Sequence, residues 1–198
     1  MTELSQTRDT SPASVNRGDS LRLFCALRLP DHVLEALVRW QQRELRGRSK
    51  PVPGERIVPP SNLHVTLAFL GARPATELPA IAGALRTAAA EAGDVRLRLR
   101  GYRETRSVGM LIFDDAGERG AALAGRLHVL LEELGVYERE RRAWLPHVTV
   151  LRFREPPGLR PRLPDLGDVA PSDAAVYISR LRPSGAEYEV LEKAELSP

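Results

Sequence analysis

Two tetrapeptides carry residue types that can do acid–base chemistry, His64-Val65-Thr66-Leu67 and His147-Val148-Thr149-Val150. Both read His-apolar-Thr-apolar, and they stand 83 positions apart in a chain of 198 residues. An imidazole, with an unperturbed pKa of ~6.5, can give or take a proton near neutral pH. A hydroxyl beside it can donate to an anionic oxygen. Two such pairs facing one another would suit phosphoryl transfer without a metal. One imidazole would protonate the leaving oxygen and the other would deprotonate an attacking water, while the hydroxyls hold phosphoryl oxygens. A lone strand histidine next to threonine is ordinarily a structural residue with a satisfied hydrogen bond. Its repetition is what favours a paired site.

Strands must position these groups. Side chains alternate along a strand, so His64 and Thr66 share one face while Val65 and Leu67 share the other, and the same holds for His147 and Thr149 against Val148 and Val150. Strict alternation puts Arg152 on the face of Val148, away from His147. It would need a bulge, or the end of the strand, to turn towards the site.

Periodicity and punctuation give the remaining elements. Strands are expected over 21–27, 62–70 (closed by Gly71), 95–100, 108–113 and 147–153, with a closing hairpin of 174–181 and 188–195 around Pro183-Ser184-Gly185. Helices are expected over 31–46 with Asp31 as cap, over 76–92 with Thr76 as cap, and over 118–134 ended by Gly135. His32 and His128 fall in these helices and read as ordinary helix residues. Residues 1–19 are polar and aperiodic, the pattern of a disordered tail, leaving 20–198 as one folded unit. Pro-rich loops cover 50–60 and 156–171. Strands joined by short turns favour an α+β fold with antiparallel sheet over a doubly wound parallel one.

Composition sets limits. Of 29 Lys and Arg residues all but Lys50 and Lys193 are arginine, yet the net charge is only +3, with a pI of about 9.4. Arginine forks pair with phosphate, but Ala, Gly and Pro are abundant too, and a GC-rich genome accounts for the skew. The charge is too small to argue for extensive duplex binding. The one cysteine, Cys25, lies in an apolar run, reads as a small buried hydrophobe, and excludes a disulfide framework. No apolar stretch reaches membrane-span length and the first twenty residues lack a secretory core, so the expectation is a cytoplasmic protein that does not enter membranes. No phosphate-loop lysine and no His-Glu-x-x-His helix occur, which is consistent with no cofactor and no metal.

The residues also resemble a family. Asn62-Leu63-His64-Val65-Thr66-Leu67-Ala68-Phe69-Leu70-Gly71 and Arg142-Ala143-Trp144-Leu145-Pro146-His147-Val148-Thr149-Val150-Leu151-Arg152 are similar to the two motifs of the two-histidine phosphoesterases, in the RNA 2′,3′-cyclic phosphodiesterase or 2′-5′ RNA ligase branch. The likeness runs over residues 21–195, through Arg22-Leu23-Phe24-Cys25-Ala26-Leu27 at the start and Tyr177-Ile178-Ser179-Arg180-Leu181 near the end. It departs at Ile57, Ser61 and Leu145, where the family often has an aromatic, an acid and a base.

The resemblance implies a bilobal α+β fold, two pseudo-symmetric lobes with antiparallel sheets flanked by helices around a central cleft. It implies His64 as proton donor, His147 as proton acceptor, and Thr66 and Thr149 as phosphoryl ligands. The reaction would open a terminal 2′,3′-cyclic phosphate to a 2′-phosphate without ATP, with 2′-5′ joining as its reverse. The implied partner is RNA with such an end, tRNA fragments included, acted on by a monomer. Arg152 and Arg142 are further candidates for phosphate, as is Arg56 beside the first motif. Phe69, Trp144 and Tyr177 are candidates for base stacking or for core. Two alternatives stay open: the same chemistry on small cyclic nucleotides or ADP-ribose cyclic phosphate, and a catalytically idle RNA-end-binding module.

Overall fold

A computed structural model describes residues 20–46, 54–183 and 185–197. The polar tail of 1–19 and Lys50 lie outside the described residues. Nine strands form two antiparallel sheets among the described residues. The first has the order β3-β1-β8-β9, with β1 Ser20–Arg28, β3 His64–Pro74, β8 Asp173–Arg182 and β9 Gly185–Glu195. The second has the order β2-β6-β5-β4-β7, with β2 Arg56–Ile57, β4 Arg96–Glu104, β5 Val108–Ala116, β6 His147–Arg152 and β7 Asp168–Val169. The chain therefore leaves the first sheet and returns to it twice, and each sheet receives one His-x-Thr strand.

Three helices, α1 Asp31–Trp40, α2 Leu78–Ala90 and α3 Arg119–Glu133, join both sheets in one apolar cluster. β1 shows why. It sends Leu23, Cys25 and Leu27 into that cluster, while Phe24 and Ala26 on its other face join Ala175 and Tyr177 in a second, smaller one. A central strand apolar on both faces is what the run Leu21–Leu27 encodes. Cys25 is fully buried, and burial pushes its thiol up to about 12, so it is inert as the sequence suggests.

Several boundaries differ from expectation. Asp31 does not cap α1: Pro30 holds that place, with its carbonyl taking the amides of Val33 and Leu34. Thr76 does not cap α2, because residues 75–77 form a 3-10 turn and the helix starts at Leu78. The α3 start is held from upstream instead, by the Asp115 carboxylate accepting from the Gly120 and Ala121 amides at 3.1 and 2.7 Å. Beyond Trp40 the first helix continues to Arg46 as a π turn. β3 does not stop at Gly71 but runs on to Pro74. Gly71, at φ 70°, follows a bulge at Leu70, a conformation glycine accepts without a Cβ penalty.

Candidate active site

β3 and β6 carry the same irregularity at the same place. Along β3, Thr66 lies opposite Ala26 and Ala68 opposite the adjacent Cys25, so Leu67 is an extra residue. Along β6, Thr149 lies opposite Met110 and Leu151 opposite the adjacent Gly109, so Val150 is extra. An extra residue reverses the parity of every later position on its strand. Leu67 and Ala68 are therefore both buried, as are Val150 and Leu151. Phe69 and Arg152 consequently return to the face of the His and Thr residues. This corrects the strict-alternation placement of Arg152, which lies opposite Val108 on the same side as Met110 and Thr149. The sequence held the signal: each motif continues with two adjacent apolar residues, Leu67-Ala68 and Val150-Leu151, where alternation allows one.

The two imidazoles are held alike. His64 Nδ1–H donates to the Asn62 carbonyl at 2.8 Å, and His147 Nδ1–H donates to the Leu145 carbonyl at 2.8 Å, in each case two residues upstream. Fixing the proton on Nδ1 turns the Nε2 lone pair outward for chemistry. Thr66 Oγ1 donates to His64 Nε2 at 3.1 Å. His64 sits against Phe24, with ring centroids 4.9 Å apart, and against Tyr188 at 5.5 Å. This burial, opposed by the Asn62 bond and reinforced by the charges of His147 and Arg152, lowers its pKa from 6.5 to about 4. His147 and Arg152 are thus close enough to act on His64 electrostatically, although they come from the other sheet. Arg152 is exposed and makes no ion pair with a described residue.

Other candidates separate. Phe69 is 62% exposed on the site face, available to a planar ligand. Tyr177 is not: it is buried, stacked on Phe24 at 4.9 Å. Trp144 is half-buried, and its indole N–H donates to the Thr66 carbonyl at 2.9 Å, tying the approach to β6 onto β3. Arg142 is paired with Glu140 at 2.6 Å. Arg56 lies across from Arg152 on β2.

A family model described as the 2′-5′ RNA ligase superfamily matches residues 29–182. The chain belongs to that superfamily. A curated relative from Thermus thermophilus, named RNA 2′,3′-cyclic phosphodiesterase, is 37% identical over 187 residues, 89% of this chain and 90% of its own. The solved structure of TT0787 of the same organism superposes with a TM-score of 0.74 at 33% identity, over 89% of this chain and 98% of that one. Escherichia coli LigT, solved with NADP+, gives a TM-score of 0.74 at 25% identity, over 91% and 100%. The α+β fold of two antiparallel sheets with few helices is the fold this chain shares with these structures.

Two residues of this superfamily member that local sequence pattern does not single out support the bulges. The Leu67 carbonyl accepts from His128 Nε2–H at 2.8 Å, from α3. The Val150 carbonyl accepts from Gln41 at 3.2 Å and from the Val58 amide at 3.1 Å. Gln41 is buried on the apolar stripe between Leu37 and Leu45, and an amide at that position was the available sign of a polar duty. No cluster of three or more His, Cys, Asp and Glu side chains able to hold a metal occurs among the described residues, nor is any of their helices long and apolar enough to cross a membrane.

Proposed function

We propose that this chain opens 2′,3′-cyclic phosphate ends of RNA to 2′-phosphates, with His64 as proton donor and His147 as proton acceptor. The observation that carries this reading is the pair of Nδ1-anchored imidazoles, each two residues from a threonine on the same face and near enough to sense the other's charge. A water gives its proton to His147 Nε2 while its oxygen bonds phosphorus. The P–O3′ bond breaks, and O3′ takes the proton of His64 Nε2. Thr66, Thr149 and Arg152 hold the non-bridging oxygens.

A pKa of about 4 leaves His64 neutral in the free protein, which by itself suits a proton acceptor. That favours a second reading with the two roles exchanged. The donor role rests instead on the substrate's own charge, since an anionic phosphodiester beside the His64 imidazole favours its protonated form. The test is hydrolysis of an oligonucleotide with a cyclic end in EDTA, with product-end mapping. A 2′-phosphate is expected, with rates lower by ~10²–10⁴ in His64→Ala and in His147→Ala. Full activity in both variants overturns the reading. Turnover of cyclic mononucleotides alone would move the substrate to small molecules, and RNA affinity without turnover would leave only a binding module.

A further inference from the structure

The two imidazoles stand on strands that pair with each other in neither sheet, so no backbone ladder fixes the gap between them. A different line of contacts spans it. His64 Nε2 accepts from Thr66 Oγ1 at 3.1 Å, and the Thr66 carbonyl accepts from the Trp144 indole N–H at 2.9 Å. The next carbonyl along the chain, that of Leu145, accepts from His147 Nδ1–H at 2.8 Å. Hydrogen bonds and two short stretches of chain thus run from one ring to the other, and Trp144 is the link that crosses between the sheets.

Trp144 has little freedom within this line. A Cβ at Gly120 on α3 would lie 2.9 Å from its ring, so the indole fills the space that a side chain there would need. The same helix holds β3, through His128 Nε2–H and the Leu67 carbonyl at 2.8 Å. Two residues after Trp144, Pro146 has a φ fixed by its own ring. Its carbonyl accepts from the Phe113 amide of β5 at 3.0 Å. Residues 144–147 therefore form a stiff arm, fastened to β5 by Pro146 and to β3 by the indole, with His147 at its end.

We infer that Trp144 is a positioning residue: its indole N–H fastens the His147 arm to the His64 strand and so sets the gap between proton acceptor and donor. It acts through its neighbours and not on the substrate, and base stacking would make no use of that N–H. Misplacing reacting groups by about 1 Å can cost ~10²-fold in rate, and here one phosphorus must meet an imidazole on each side. This kinetic consequence rests on the proposed roles of the two histidines. The gap itself can be read without substrate, because His64 senses the charge of His147.

Two replacements remove the N–H and keep aromatic bulk against Gly120. One is Trp144→Phe, and the other is a benzothienyl analogue at position 144, which keeps both rings and has sulfur in place of the N–H. With either, kcat on a cyclic-ended oligonucleotide should fall ~10-fold or more while KM stays within about twofold, under conditions where circular dichroism shows the chain folded. A stacking role would instead raise KM and spare kcat. The second readout needs no turnover. Removing a like charge favours protonation, so His147→Gln should raise the midpoint at which the His64 ring resonances titrate. Beside either replacement the same substitution should raise it less. An unchanged kcat, a loss confined to KM, or an undiminished response of His64 to His147→Gln overturns the positioning role and leaves the phosphodiesterase reading standing. Absence of hydrolysis in the wild type overturns that reading, and the His64 titration then decides the positioning role alone.

Discussion

Replacing the bridging O3′ of the cyclic phosphate by sulfur would decide which histidine is the acid. With a pKa of about 4, His64 is protonated in about one free molecule per thousand at pH 7. A phosphodiester anion ~4 Å from the imidazole contributes about 4 kcal/mol at an effective dielectric of ~20, equivalent to about 3 pKa units. Bound substrate would therefore bring the donor back to about 7. A thiolate leaves unaided, since a thiol ionises near ~8.5 against ~15.7 for water. His64→Ala should then lose ~10²–10⁴ with the oxygen substrate and less than about tenfold with the sulfur one, while His147→Ala loses activity with both. Single-turnover rates at pH 7 measure this, and in the wild type the alkaline limb of kcat should break near pH 7. Rescue by sulfur of His147→Ala in place of His64→Ala would exchange the roles. Equal losses on both substrates in both variants would refute paired acid–base catalysis.

His64 also links stability to pH. Its folded pKa of about 4 lies below the unfolded ~6.5, so the unfolded chain binds more protons between those values. Stability should fall as pH drops from about 6.5 to about 4, by up to about 3 kcal/mol, and urea midpoints should show this component missing in His64→Gln. Gly120→Ala brings a Cβ to 2.9 Å from the Trp144 ring. Overpacking of roughly 1–3 kcal/mol outweighs a helix gain of up to ~1, so the melting temperature and the rate should both fall. Gly83→Ala on α2, where a Cβ meets nothing within 4 Å, should instead stabilise by ~0.5–1 kcal/mol, seen as a higher melting temperature. Gln41→Leu removes the bonds to the Val58 and Val150 carbonyls. It should cost roughly 1–3 kcal/mol of stability by denaturation and should lower kcat more than KM, since Arg152 depends on that bulge.

What the sequence disclosed was local pattern. Alternation at 95–100, the stripe of Val33, Leu37 and Leu45, and the closing antiparallel pair β8–β9 all stem from side-chain period and turn chemistry, and the structure has them. The His-x-Thr pairs were legible because a strand puts alternate residues on one face whatever it packs against. The face of Arg152 was not, because one extra residue undoes alternation and its carbonyl is held by Gln41 from 109 positions away. Tyr177 became core through Phe24, a partner that only the β1–β8 pairing supplies. The cap readings failed at α1, where the Pro30 carbonyl stands in the place expected for Asp31, and at α2, where a 3-10 turn takes up Thr76.

The place of β1 between β3 and β8 also orders events in time. Leu23 pairs with Gly71 on one side and with Ile178 on the other, and Tyr177 and Tyr188 complete the ring of aromatics around His64. On a ribosome, the second motif is synthesised before the strands that enclose the first. Contacts so distant in sequence make closure of this sheet a late and slow step. A nascent or truncated chain ending before β8 leaves one edge of β1 open and His64 without the Tyr177 and Tyr188 rings that help to bury it. The cleft is therefore assembled only when nearly the whole polypeptide exists, and an incomplete copy has no finished site with which to act on the RNA that surrounds it.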